Sequence, residues 1–127
     1  MKMLDTNMIV RYFLQDDEEM ADKVRNVLKS EKVFVLHEVI AEVIYVIVKT
    51  YKQDRIQTAE IILRFLSLPT VKVDYPEILK KGIQFYRDTS FDFVDCLLAA
   101  YHLEENHEIC TFDKKLNKFI ERIDSEK

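Results

Sequence analysis

The chain has 127 residues, 48% of them hydrophobic and 33% charged, which suits one domain with a real core and excludes a disordered or collagen-like chain. A single glycine cannot build the glycine-rich phosphate loops of the G-x-G-x-x-G or Walker type. The net charge of −4 does not suit a simple nucleic-acid coat, so any nucleic acid must be met through a local basic patch or a bound metal.

Met3-Leu4 reads as a short strand, with a helix beginning at Thr6. Met20, Val24, Val27 and Leu28 mark one face of a helix near residues 17–30. Val33-Phe-Val-Leu36 reads as a second strand. Residues 38–51 pose a conflict, because Val39, Ile40, Val43, Ile44, Val46, Ile47 and Val48 favour a strand by propensity. Glu38, Glu42, Tyr45, Lys49 and Lys52, however, recur at steps of 4, 3, 4 and 3, a stripe that only a helix puts on one face. This segment is therefore expected to be a buried helix with one narrow polar stripe. Ile56, Ala59, Leu63 and Leu66 give another helix near 55–67, with Asp54 and Gln57 as a capping pair. Val71-Lys-Val73 reads as a third strand, and Pro76 suits the first turn of a helix running to about Asp88. In residues 92–105 the stripe Asp92, Asp95, Ala99, His102 and Asn106 runs along an otherwise apolar helix, with Asp92 as its cap. Ile109-Cys-Thr111 reads as a fourth strand, and a last helix follows Asp113.

Strands alternating with helices predict a parallel sheet covered on both faces, in one domain over 1–127 without repeats or linkers. Asp5, Asn7 and Arg11 interrupt the apolar residues at the N-terminus, so neither a signal peptide nor a membrane span fits there. Cys96 and Cys110 lack metal-ligand spacing and lie in apolar stretches, so both are expected to be buried thiols of a reducing, cytoplasmic compartment.

Four carboxylates carry the chemistry. Asp5 follows the first strand and Asp113 the last, and ligand sites of parallel sheets lie at the carboxyl ends of strands. Glu42 and Asp95 sit on the polar stripes of the two most apolar helices. Each also has a purely structural reading: Asp5 and Asp113 as helix caps, Asp95 as a first-turn acid favoured by the helix dipole, Glu42 as part of a solvated face. Carboxylates without nearby His or Cys suit a hard cation, Mg²⁺ or Mn²⁺ before Zn²⁺, and a divalent ion would offset their mutual repulsion.

In order and spacing, Met1-Lys2-Met3-Leu4-Asp5-Thr6-Asn7, Ile40-Ala41-Glu42-Val43, Phe93-Val94-Asp95-Cys96-Leu97-Leu98-Ala99-Ala100 and Thr111-Phe112-Asp113 resemble PIN-domain proteins, and the size resembles the VapC-like toxins of toxin–antitoxin pairs. The resemblance implies an α/β fold, a three-layer α/β/α sandwich with a short parallel sheet of four to five strands. It implies a metal-dependent endoribonuclease that acts on RNA, forms homodimers and pairs with a cognate antitoxin. Residue by residue, Asp5 and Asp95 match as direct ligands of Mg²⁺ or Mn²⁺, Asp113 and Glu42 complete the acidic pocket, and Thr6, Asn7 and Thr111 match the polar positions around it. Arg11, Lys114, Lys115 and Lys118 are candidates to meet RNA phosphates, and Tyr45 and Tyr51 to stack on bases. His37 and His102 read as structural. Phe13, Leu14 and the helix near 55–68 are candidate interface residues. A PIN-like module that binds RNA or protein without cutting is the alternative. An aspartyl-phosphate phosphatase would need an acid two residues after Asp5, where Asn7 stands.

Overall fold

Parallel strands need a crossover between them, and a helix is its usual form. In the computed structural model, which describes residues 1–127, two such crossovers build the first part of the chain. Strand β1 (Lys2–Met3) is followed by helices α1 (Thr6–Leu14) and α2 (Glu18–Ser30), then by β2 (Val33–Phe34). Helix α3 (His37–Tyr45) runs into a π-helical turn at Val46–Thr50, followed by α4 (Arg55–Leu66) and β3 (Val71–Lys72). The sheet order is β1-β2-β3, all parallel, with Lys2 opposite Val33 and Val33 opposite Val71. The chain divides into two compact units, Met1–Pro76 and Glu77–Lys127. The second is built from α5 (Pro76–Asp88), α6 (Phe93–Glu105) and α7 (Lys114–Ser125).

In the first unit α1 packs on α2 and α3, and α4 lies against β3. Ile9 and Val10 of α1, Val24 of α2, Val33 and Val35 of the β2 segment, Ile40 and Val43 of α3 and Ile62 of α4 are buried. Asp17 caps α2 by accepting from the Met20 N–H, and Asp54 caps α4 by accepting from the Gln57 N–H at 2.9 Å. The segment is helical through Thr50, as the polar stripe requires, and Tyr51 and Lys52 lie just past its end. Glu38, Glu42, Tyr45, Lys49 and Lys52 are exposed, while Ile40, Val43, Ile44 and Ile47 are buried. Its end widens, with the Tyr51 N–H donating to the Val46 carbonyl at 3.0 Å. β-Branched side chains crowd the preceding turn of an α-helix, and the run Val46-Ile47-Val48 lies where the spiral opens.

In the second unit α6 and α7 meet at Ala99, whose small side chain admits Leu116, Phe119, Ile120 and Ile123. Phe119 contacts Phe85 edge-on at 5.1 Å between ring centroids and Phe91 at 5.4 Å. The sheet has three strands, not the four to five anticipated, because Ile109-Cys-Thr111 is irregular. Its unit contains no other strand to pair with, and side chains satisfy the flanking carbonyls instead: His102 contacts that of His107, and Asn117 that of Thr111. Along this segment Ile109 packs into the Phe119 cluster while Cys110 faces solvent. Cys96 is buried as anticipated, whereas Cys110 is exposed. No helix is long and apolar enough to cross a membrane.

The glycine, Gly82, sets how closely α5 and α6 approach. A Cβ there would lie 3.0 Å from Cδ2 of Leu97 and 3.6 Å from its Cα. Alanine would regain helix propensity while pressing on a movable methyl group, so Gly82→Ala is expected to be near neutral. Gly82→Val overpacks the contact and should cost about 2 kcal/mol in urea unfolding. Wild-type stability in the valine variant would show that α5 has room to move away from α6.

Candidate active site

An α-helix leaves its first N–H groups without partners, and a side-chain oxygen just before it can accept from them. Asp5 does this for α1. Its backbone is extended, and its Oδ1 accepts from the Met8 N–H at 2.9 Å. One carboxylate oxygen is thereby fixed, and the cap leaves the other uncommitted. The next residue, Thr6, donates its hydroxyl to Oε2 of Glu42 at 2.8 Å. Two residues 36 apart in sequence are so tied, and Glu42 is held at the start of α1. Asn7 is exposed on the first turn of α1. Arg11 is engaged elsewhere, its guanidinium donating to Asp16 and to the Tyr51 hydroxyl, both at 2.5 Å, and lying over the Tyr51 ring.

The second unit repeats the arrangement. Asp113 caps α7, its Oδ1 accepting from the N–H groups of Lys115 at 2.9 Å and Leu116 at 3.2 Å. The Asp113 N–H donates to Oγ1 of Thr111 at 3.0 Å, and Nδ2 of Asn117 donates to the Thr111 carbonyl at 3.0 Å. Asn117 did not figure among the sequence candidates. Its signal is a polar side chain one helical turn after Asp113. Asp95 lies in the first turn of α6, half-buried. Burial foremost, then the charges of Asp113 and Asp92, push its carboxyl above the usual range. Asp92 takes the cap position of α6, but its side chain makes no capping hydrogen bond, and its charge adds to the repulsion on Asp95.

Lys114, Lys115 and Lys118 are exposed on the first turns of α7, which carry no acid. A helix N-terminus disfavours cations, so two lysines directly at it give up a little stability and leave a local positive field beside Asp113.

The structure thus joins Thr6 with Glu42 in one unit, and Asp95 with Asp113 in the other. Within either unit, no three Asp, Glu, His or Cys side chains close on a point fit for a metal ion. In kind, the donors are carboxylate oxygens, the type that a hard divalent cation takes. The histidines are used structurally. His37 Nε2 donates to the Asp74 carbonyl at 2.5 Å, and both ring nitrogens of His102 are engaged.

The sequence model of the PIN domain family matches residues 2–121. The chain belongs to the PIN domain family. The match spans both compact units and includes Asp5, Glu42, Asp95 and Asp113. The chain is also similar to the VapC ribonuclease of Aquifex aeolicus (strain VF5), with 27% identity over 124 residues, covering 93% of this chain and 91% of that protein. No solved structure matches it.

In this PIN domain His102 sets a pH response. Its Nδ1 lies 2.8 Å from the His107 carbonyl and its Nε2 2.7 Å from Oδ1 of Asp124, two groups that only accept when the carboxyl is ionised. The arrangement therefore requires the imidazolium. The His107 carbonyl first, and then Asp124, raise the His102 pKa, against burial and the charge of Lys127. Asp124 is lowered in turn, chiefly by the hydrogen bond from His102. A raised histidine contributes fully below its unfolded value and loses that contribution as pH rises through the folded one. The lowered Asp124 contributes above its own unfolded value and loses this on acidification. The pair therefore stabilises most between about pH 4 and pH 6.5. Urea unfolding should show wild type losing stability as pH rises above about 6.5, while His102→Gln changes less over the same rise. Parallel pH profiles would contradict this assignment.

Proposed function

We propose that this PIN-domain protein is a metal-dependent endoribonuclease, the toxin of a toxin–antitoxin pair, hydrolysing RNA phosphodiester bonds with Mg²⁺ or Mn²⁺. The observation that carries the reading is the fixing of carboxylates in both units: Asp5 by the Met8 N–H, Glu42 by the Thr6 hydroxyl, and Asp113 by the first N–H groups of α7, beside an Asp95 whose charge is disfavoured. The similarity to a VapC ribonuclease supports the same reading.

On this proposal the chain acts as one domain, and both acid pairs are needed for one reaction. Asp5 and Asp95 would hold the cation directly, with Asp113 and Glu42 completing the set. Such a cation, when bound, acidifies a water and offsets charge on the phosphate. The protein's own groups prepare this. The α1 and α7 N–H groups orient Asp5 and Asp113, Thr6 orients Glu42, and Thr111 holds the Asp113 backbone. Asn7 stands beside this set as a further polar group. Lys114, Lys115 and Lys118 draw the RNA backbone in, and Arg11, paired with Asp16 and Tyr51, would join them only on releasing those partners. No side-chain nucleophile is called for. The proposal includes a homodimer, a cognate antitoxin and action in the cytoplasm.

Asparagine is as good a helix cap as aspartate, so Asp5→Asn removes charge while keeping α1 capped. Cleavage of a mixed RNA pool should require Mg²⁺ or Mn²⁺ and stop with EDTA. Asp5→Asn and Asp95→Asn should each lower it on the order of 100-fold or more, and Thr6→Val roughly 10-fold, with unchanged circular dichroism. Cleavage that persists in EDTA, or at the wild-type rate in Asp5→Asn, would contradict the reading.

A further inference from the structure

Of the phenylalanines in the second unit, all but Phe112 are packed against protein. Phe85, Phe91 and Phe119 form one cluster, and Tyr86 and Phe93 are buried against each other at 6.2 Å between centroids. Phe112 is fully exposed, at 105% of the reference area. Phenylalanine normally buries about 150–250 Å², so leaving one wholly in water forgoes a large stabilisation.

Nor is Phe112 on a slack loop. Thr111 before it is held through its carbonyl by Asn117 and through its hydroxyl by the Asp113 N–H. Asp113 after it caps α7 with two hydrogen bonds. The ring is thus displayed outward from a fixed bend, one residue before a carboxylate of the site and two before Lys114. An exposed aromatic face beside exposed lysines suits unpaired bases on a charged backbone, where stacking is tolerant of sequence. Tyr51, by contrast, has its ring covered by the Arg11 guanidinium.

We propose that Phe112 stacks on an unpaired base of the RNA beside the scissile phosphate, and so selects single-stranded RNA and sets its register against Asp113. This rests on the ribonuclease reading and adds a substrate-positioning residue to it.

The test separates the two. Steady-state cleavage of single-stranded RNA by Phe112→Ala should show KM raised about 10- to 100-fold, with kcat and melting temperature close to wild type, and Phe112→Tyr should restore KM. The chain has no tryptophan, so Phe112→Trp supplies a single reporter. Its fluorescence should be quenched by a short mixed-sequence single-stranded RNA and not by an abasic strand of the same length. An active Phe112→Ala with wild-type KM would overturn the stacking role and leave the ribonuclease reading intact. So would quenching by the abasic strand, or a fluorescence change that follows protein concentration without RNA, which would assign the ring to a second copy of the chain. Wild-type protein that neither binds nor cleaves RNA would overturn the ribonuclease reading and the stacking role with it.

Discussion

The first N–H groups of α1 and α7, which need acceptors from outside the helix, are the constraint on which the proposed carboxylate geometry depends. A carboxylate on a flexible chain would rotate freely and lose entropy on meeting any ligand. At these two helix starts the backbone does the orienting. Oδ1 of Asp5 and Oδ1 of Asp113 are each fixed by hydrogen bonds to the following turn. Capping and ligation are therefore not rival explanations of these residues, since a cap occupies one oxygen and positions the other.

Around these caps the second partners act at short range. Thr6 turns the α1 start into a holder for Glu42, a residue on a different helix. Asp95 is placed by α6 where burial and neighbouring acids disfavour its charge. The fold tolerates that repulsion instead of relieving it, although an asparagine at position 95 would be less repelled. Charge kept against a local cost is the pattern of a functional site, and perturbed carboxylates gather at such sites. The lysines at the start of α7 follow the same logic with opposite sign, because the helix terminus disfavours them.

The elements that were legible in the sequence are those whose polar residues repeat with a helical period. The stripe from Glu38 to Lys52 outweighed seven β-branched residues, and each of its five members is exposed. The widening of the spiral at Val46–Thr50 was not legible, because period alone does not distinguish α from π over a single turn. Ile109-Cys-Thr111 has strand composition, but strand formation needs a partner, and side chains hold the carbonyls of His107 and Thr111 instead. Of the site, the four acids and Thr6 stood out by position, and the Thr6–Glu42 bond gives two of those positions a common geometry. Asn117 was missed because a polar residue on an amphipathic helix reads as solvated. Phe112 was missed for a related reason: its sequence environment says nothing of whether the bend turns the ring inward or out.

The central proposal is that Asp5 and Asp95 are each needed for binding a divalent cation. Calorimetric titration of Mn²⁺ into wild type, Asp5→Asn and Asp95→Asn tests it most directly, since the two substitutions lie in different units. The account predicts saturable binding by wild type and a loss of affinity of about 10-fold or more in each variant. Wild-type affinity in either variant would contradict it.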